Sequence, residues 1–255
     1  MTESLNDRVV IVTGAGSGIG RACAAVLAQQ GARLSLVDLH SEGLSAVSDE
    51  LGAAGVDVAD RVLTMTASIR DEADMARMAQ QTLERFGRID ALVACAGLLR
   101  VGEKLSTVAD TSLDAWNTIV ETNLTGTFLS NRAVLPAMME QREGDIINIS
   151  STSGLKGRPF DGAYCASKFG IIGLSESLSE ELGRFGIRVQ TVLPDAVATP
   201  LWDQNGPAAL KPAQTMPPER IAELVAYLLG LPRDTYLMNP VIAPMKSRGK
   251  KKRKS

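Results

Sequence analysis

Aromatic residues are scarce, at 4% of 255. The interior must therefore be filled by Ala, Val, Leu and Ile. Cysteine occurs three times, as Cys23, Cys95 and Cys165, far apart and with no CxxC pair, and histidine only once, as His40. These absences argue against a disulfide framework and a Cys/His zinc site; no metal is expected, and a reducing cytoplasm fits. No apolar run approaches the ~18–20 residues that span a bilayer. The opening MTESLNDRVV lacks the basic start and apolar stretch of a signal peptide.

The net charge of −2 hides an asymmetry. The last ten residues carry seven Lys or Arg and no acid, which leaves 20 basic against 29 acidic residues over 1–245, a net of −9. An acidic body gives no support to a nucleic-acid surface, so any such role would fall to the tail alone. The tail, 246–255, has dense like charge and no apolar periodicity, which predicts a disordered terminus after a single domain over 1–245.

What the chain does have is alternation. Short, continuously apolar runs at 9–12, 34–37, 62–65, 91–94, 146–149, 189–193 and about 237–243 are separated by helical stretches near 18–30, 41–54, 71–86, 113–140, 163–184 and 218–230. Strands apolar on both faces belong to parallel sheets covered on both sides. The pattern predicts a doubly wound α/β sheet of the Rossmann type, about seven strands with helices on both faces. The proline-rich stretch 194–218 is the longest irregular segment, expected as a mobile flap over a site.

The first strand runs into Thr13-Gly14-Ala15-Gly16-Ser17-Gly18-Ile19-Gly20, and an Ala-rich helix follows. Such a turn lets a pyrophosphate approach the amides of a helix N-terminus. A GxGxxG alone is weak, but between a strand and a helix it points to a dinucleotide. Asp38 ends the second strand, 18 residues after Gly20. Its carboxylate suits the ribose hydroxyls of NAD and repels the 2′-phosphate of NADP, although Arg33 or His40 could soften that repulsion. Asp38 could also merely cap the next helix.

Tyr164-Cys-Ala-Ser-Lys168 puts a phenol and an ammonium at i and i+4 on one helix face. A free phenol titrates near ~10, and a neighbouring Lys⁺ lowers that value. Ser150-Ser151-Thr152-Ser153-Gly154 follows the strand at 146–149. Its hydroxyls then lie at the carboxyl ends of the strands, where open α/β sheets bind ligands.

Taken together, TGAGSGIG (13–20), ACAG (94–97), Asn123 in NLTG, NISSTSG (148–154), YCASK (164–168) and RVQTVLPDAVAT (188–199) resemble the short-chain dehydrogenase/reductase family over nearly the whole chain. The resemblance implies Tyr164 as general acid/base and Lys168 as holder of the nicotinamide ribose and depressor of the tyrosine pKa. It implies Ser151, three residues before Gly154, as the hydrogen-bond partner of the substrate oxygen. Asn123 would order a water in a proton relay. For the cofactor, NAD, the resemblance implies Gly14, Ser17, Gly18, Ile19 and Gly20 at the turn. Asp38, Leu39, Ser68, Ile69, Ala94 and Gly97 would stand along the adenosine half, and Pro194, Val197 and Thr199 by the nicotinamide. Leu98, Leu99, Leu155, Phe160, Leu201 and Trp202 fall where members line the substrate pocket, which suggests a mostly apolar substrate. A homo-oligomer, dimer or tetramer, is also implied.

The chain departs from the family pattern in four places. Ala94-Cys95 replaces the usual Asn-Asn, and Ser68 replaces an adenine-contacting Asp. Pro194-Asp195 replaces Pro-Gly, which adds a carboxylate near the expected site. Asn239-Pro240-Val-Ile-Ala-Pro244 stands where Asp-Gly-Gly is usual. The expected function is NAD-dependent hydride transfer to or from a small-molecule secondary alcohol or ketone. Alternatives are a catalytically silent dinucleotide-binding sensor or scaffold, or nucleic-acid binding through the tail.

Overall fold

The computed structural model describes residues 4–245, so the basic segment 246–255 and its expected disorder lie outside the described residues. Seven parallel strands form one sheet in the order β3-β2-β1-β4-β5-β6-β7. They are β1 (Val9–Thr13), β2 (Arg33–Asp38), β3 (Val62–Thr66), β4 (Ala91–Ala94), β5 (Gly144–Ile149), β6 (Ile187–Pro194) and β7 (Val241–Ile242). The order reverses between β1 and β4, which opens a crevice at their carboxyl ends.

The helices are α1 (Gly18–Gln29), α2 (Ser41–Ala53), α3 (Val58–Arg61), α4 (Glu72–Phe86), α5 (Leu113–Val120), α6 (Gly126–Gln141), α7 (Gly162–Leu182) and α8 (Glu219–Leu229). Alternation along each strand feeds two cores. Val10 and Val12 join Leu27 of α1 and Val225 of α8 on one face. Ile11 joins Met78 of α4, Met138 of α6 and Leu178 of α7 on the other. Local signals set the ends of α4: Asp71 accepts from the Asp74 amide at 3.1 Å, and Gly87 turns the chain out at φ 78°.

Three features differ from the sequence expectation. The helix expected over 113–140 contains a π turn at Glu121–Thr125. The last strand is two residues long rather than seven, because Asn239 adopts φ 47° and Pro240 has no N–H to give to a ladder. The single turn α3 was not expected; Asp57 caps it by accepting from the Asp60 amide.

The segment 194–218 is tied down in several places. The Val197–Met216 bridge, the Met216 amide on the Ala196 carbonyl (3.0 Å) and the Trp202 indole N–H on the Val197 carbonyl (2.7 Å) hold it to the end of β6. Buried amides tie the sheet to its covering helices. Asn131 of α6 donates to Asn148 of β5 at 3.1 Å, and Asn148 donates to Ser175 of α7 at 2.9 Å, all buried. At the opposite end of the sheet, fully buried Asp145 meets Arg8 at 2.5 Å, Arg188 at 2.7 Å and Arg233 at 3.3 Å.

Candidate active site

The crevice at the β1/β4 switch is lined by Gly14, Ser17, Gly18, Ile19 and Gly20 of the turn and by Asp38, Leu39, Ser68, Ile69, Gly97 and Thr199. The turn must be glycine for steric reasons. A Cβ on Gly14, at φ 66°, would lie 2.7 Å from Ala96 Cα, and one on Gly20 would overlap the Gly14 carbonyl. A dinucleotide fits this donor set: bare amides at the start of α1 for phosphates and a carboxylate beyond them for a ribose.

Asp38 is fixed by the turn it serves. It accepts from the Gly16 amide at 2.9 Å and from the His40 amide at 3.0 Å. Arg33 faces Asp7 at the other end of β2, roughly 16 Å of strand away, and does not reach this crevice. Ala94 does not line the crevice. It is held in the ladder between Thr13 and Asn148, and the lining begins one residue later at Cys95.

Tyr164, Lys168, Ser151, Pro194, Val197 and Thr199 meet in an adjoining cleft that shares Ile19, Cys95 and Gly97 with the dinucleotide crevice. The two serines divide. Ser150 donates to the Lys168 carbonyl at 2.8 Å and ties β5 to α7. Ser151 donates to the Pro194 carbonyl at 3.4 Å and lines the cleft together with Tyr164.

Burial pushes the Tyr164 phenol up to about 12, with hydrogen bonding to Ser151 pulling the other way. This reverses the depressed value that the i, i+4 lysine suggested. The Lys168 ammonium donates to the Ile149 carbonyl at 2.8 Å and lies 5.6 Å from the Tyr164 ring centre. Burial also pushes Lys168 down to about 8. Desolvation is the largest cause of both shifts.

Asn123 lies in the π turn, fully buried. Its side chain accepts from the Leu98 amide at 2.7 Å and donates to the Leu98 carbonyl at 2.7 Å and to Ser167 at 3.0 Å. Its carbonyl accepts from Thr127 at 2.6 Å. The side chain thus clamps the loop after β4, while the backbone carbonyl, accepting from Thr127, keeps a second lone pair.

The family model for short chain dehydrogenase matches residues 8–209. The chain belongs to the short-chain dehydrogenase family. Levodione reductase of Leifsonia aquatica is 38% identical over 96% of this chain and 94% of its own, and a crystal structure of levodione reductase superposes with a TM-score of 0.83 at 36% identity, covering 94% of this chain and 96% of that one. D-threitol dehydrogenase of Mycolicibacterium smegmatis is 38% identical over 92% of this chain and 89% of its own. An uncharacterized NAD-dependent oxidoreductase of Mycobacterium tuberculosis is 36% identical over 89% and 90%. As a short-chain dehydrogenase, the protein is an oxidoreductase on a Rossmann-fold scaffold. Among the described residues, no helix is long and apolar enough to cross a membrane.

Of the apolar residues expected at the short-chain dehydrogenase substrate pocket, Leu99, Leu201 and Trp202 line the cleft, and Leu98 lines the dinucleotide crevice. Leu155 and Phe160 do not. They are 54% and 42% exposed, the first just past a 3-10 turn and the second at φ 65°. The sequence reading missed Asp161, which lines the cleft beside Tyr164, and its partner Arg100 at 2.7 Å. It also missed Gln204, which accepts from the Leu99 amide at 2.8 Å. An acid just before a helix reads as a cap, so nothing local marks Asp161.

Proposed function

We propose that the protein is a cytoplasmic NAD(H)-dependent dehydrogenase/reductase acting on secondary alcohols and ketones, with Tyr164, Ser151 and Lys168 as its reacting constellation. One observation carries this reading: these three side chains share a buried cleft that opens into the dinucleotide crevice. Bound NAD(H) supplies or accepts the hydride. The Tyr164 hydroxyl is placed to give a proton to the carbonyl oxygen, and the Ser151 hydroxyl to hold that oxygen in reach. Lys168, anchored through the Ile149 carbonyl, fixes the floor of the cleft. A phenol that keeps its proton up to about 12 is a ready acid for ketone reduction at neutral pH. The relatives' names speak for both directions, a reductase and a dehydrogenase. A panel of ketones with NADH and of alcohols with NAD, followed by NADH absorbance, tests the reading. No turnover on any member overturns it.

NAD is the expected cofactor because the Asp38 carboxylate would set a like charge against a 2′-phosphate and Arg33 is too far away to help, which leaves Arg70 and His40 as the basic residues lining the crevice. Asp38→Asn should narrow the kcat/KM preference for NAD over NADP about tenfold. Equal kcat/KM for the two cofactors in the parent protein would contradict the assignment.

A homo-oligomer is the expected solution state. Leu113 and Trp116 on α5, Phe128 on α6 and Phe169 on α7 are 71%, 37%, 40% and 48% exposed, a good deal of apolar surface for one chain to leave wet. Light scattering at micromolar protein should give two or four times the 27.1 kDa chain mass. A monomer mass throughout would exclude this.

A further inference from the structure

We propose that the substrate pocket is built to receive a neutral hydroxyl beside the reacting carbon, so that hydroxyketones and the corresponding diols are preferred over plain hydrocarbon ketones and alcohols. The proposal rests on the dehydrogenase reading above and adds the substrate's second polar group.

The cleft beyond Tyr164 has two unlike walls. Leu99, Leu201 and Trp202 form one; Arg158, Asp161 and Asp195 form the other. Arg158 donates to Asp195 at 2.6 Å and to Thr152 at 3.0 Å. Their side chains stay 36% and 26% exposed, so the pair still faces incoming solutes. Asp195 is the carboxylate that replaces the usual glycine after the sixth strand.

Asp161 is deeper, with its side chain 5% exposed. It stands at the cap position of α7 yet makes no cap bond to the helix amides. Its carboxylate is turned instead to buried Arg100, 2.7 Å away, but off the line of a hydrogen bond, so Oδ1 has no hydrogen-bond partner. Burial holds this carboxyl above its usual range, and Arg100 works against that shift.

A buried ion pair of this kind is a poor stabiliser, since apolar residues of like volume do as well or better. Oδ1 itself is sealed against Arg100, so what meets an incoming solute is the remainder of the Asp161 carboxyl group, which lines the cleft, and the partly exposed Arg158–Asp195 pair beside it. The two acids and two arginines cancel in charge. An ionic substituent of either sign meets a like charge along with an opposite one that is already paired, and it gains little for its own lost hydration, while an apolar one strips water from charged groups without replacing it. A hydroxyl donates to a carboxylate and accepts from Arg158, so it satisfies both.

The test compares ketones of one skeleton. Cyclohexanone and 2-hydroxycyclohexanone are reduced with NADH by the parent, by Asp161→Asn and by Asp195→Ala. The parent should favour the hydroxylated ketone by about tenfold or more in kcat/KM, the size of one hydrogen bond to a charged group. Each variant should lower that ratio severalfold. Because the ratio is internal, partial loss of folded protein cancels. As a readout apart from turnover, Trp202 fluorescence should respond to cyclohexane-1,2-diol at lower concentration than to cyclohexanol, and less so in the variants. A parent ratio near one, or a ratio unmoved in both variants, overturns the inference and leaves the dehydrogenase reading standing. Turnover of neither ketone, nor of any other member of the wider panel, overturns both.

Discussion

Replacing Tyr164 with Phe is expected to cut turnover by 10² or more, at least ~2.7 kcal/mol of barrier, while cofactor affinity changes little. The ring is buried and packs with Leu99, Ile119 and Ala163, so Phe keeps the shape of the cleft and removes only the hydroxyl. Ser151 keeps its own anchors, the Ser153 amide at 3.1 Å and the Pro194 carbonyl at 3.4 Å, and cannot supply the proton in its place. The pH behaviour follows from the raised phenol. Below about 12 it is protonated, so the reductive rate gains nothing from acidification across pH 6–9 on its account. Alcohol oxidation needs the phenolate and should rise with pH over the same range. Steady-state rates in both directions, with dinucleotide binding measured by NADH fluorescence, check this. Turnover close to the parent's on an accepted substrate would remove Tyr164 from the chemistry.

The elements that the sequence reveals are those set by near neighbours along the chain. Continuous apolar runs locate six of the seven strands to within two residues, because a parallel strand buried on both faces has no other composition open to it. The glycine turn is legible because only glycine can stand where Ala96 and the Gly14 carbonyl press against it. Other features depend on distant partners. The π turn holding Asn123 is invisible because its residues suit an α-helix equally well. Tyr164 and Lys168 show their helical spacing in sequence but not their burial, and burial decides their proton affinities. Asp161 reads as a cap until Arg100, 61 positions earlier, is seen beside it. Nothing next to Arg158 in the chain marks its partner, Asp195 of another loop. Spacing thus locates the cleft, while the polarity of its walls comes from pairs that only the fold brings together.

The same kind of long-range pairing makes Asp145→Ala the substitution expected to cost most in stability, about 3–5 kcal/mol. Asp145 is the second residue of β5, at the amino end of the sheet, and is fully buried. Its two oxygens hold Arg8, from the segment leading into β1, and Arg188 of β6. These arginines reach onward to the chain that closes the domain. Arg8 donates to the Leu229 carbonyl at 2.7 Å, and Arg188 to the carbonyls of Leu231, Pro232 and Thr235 at 2.8–2.9 Å. Removing the carboxylate leaves the buried Arg188 guanidinium, 7% exposed, without a counter-charge. A paired buried ion is a modest stabiliser, but an unpaired one is a large liability, and that asymmetry sets the size of the effect. Asp145→Leu combined with Arg188→Met should accordingly recover much of the loss, since the double change removes the two most buried charges of the cluster and fills the space, while Arg8 and Arg233, 14% and 30% exposed, can turn to water. Urea unfolding of the parent, both single variants and the double variant closes the cycle. A single-variant cost below ~1 kcal/mol would show that the arginines find water or other carboxylates, and that the end of the sheet does not depend on Asp145.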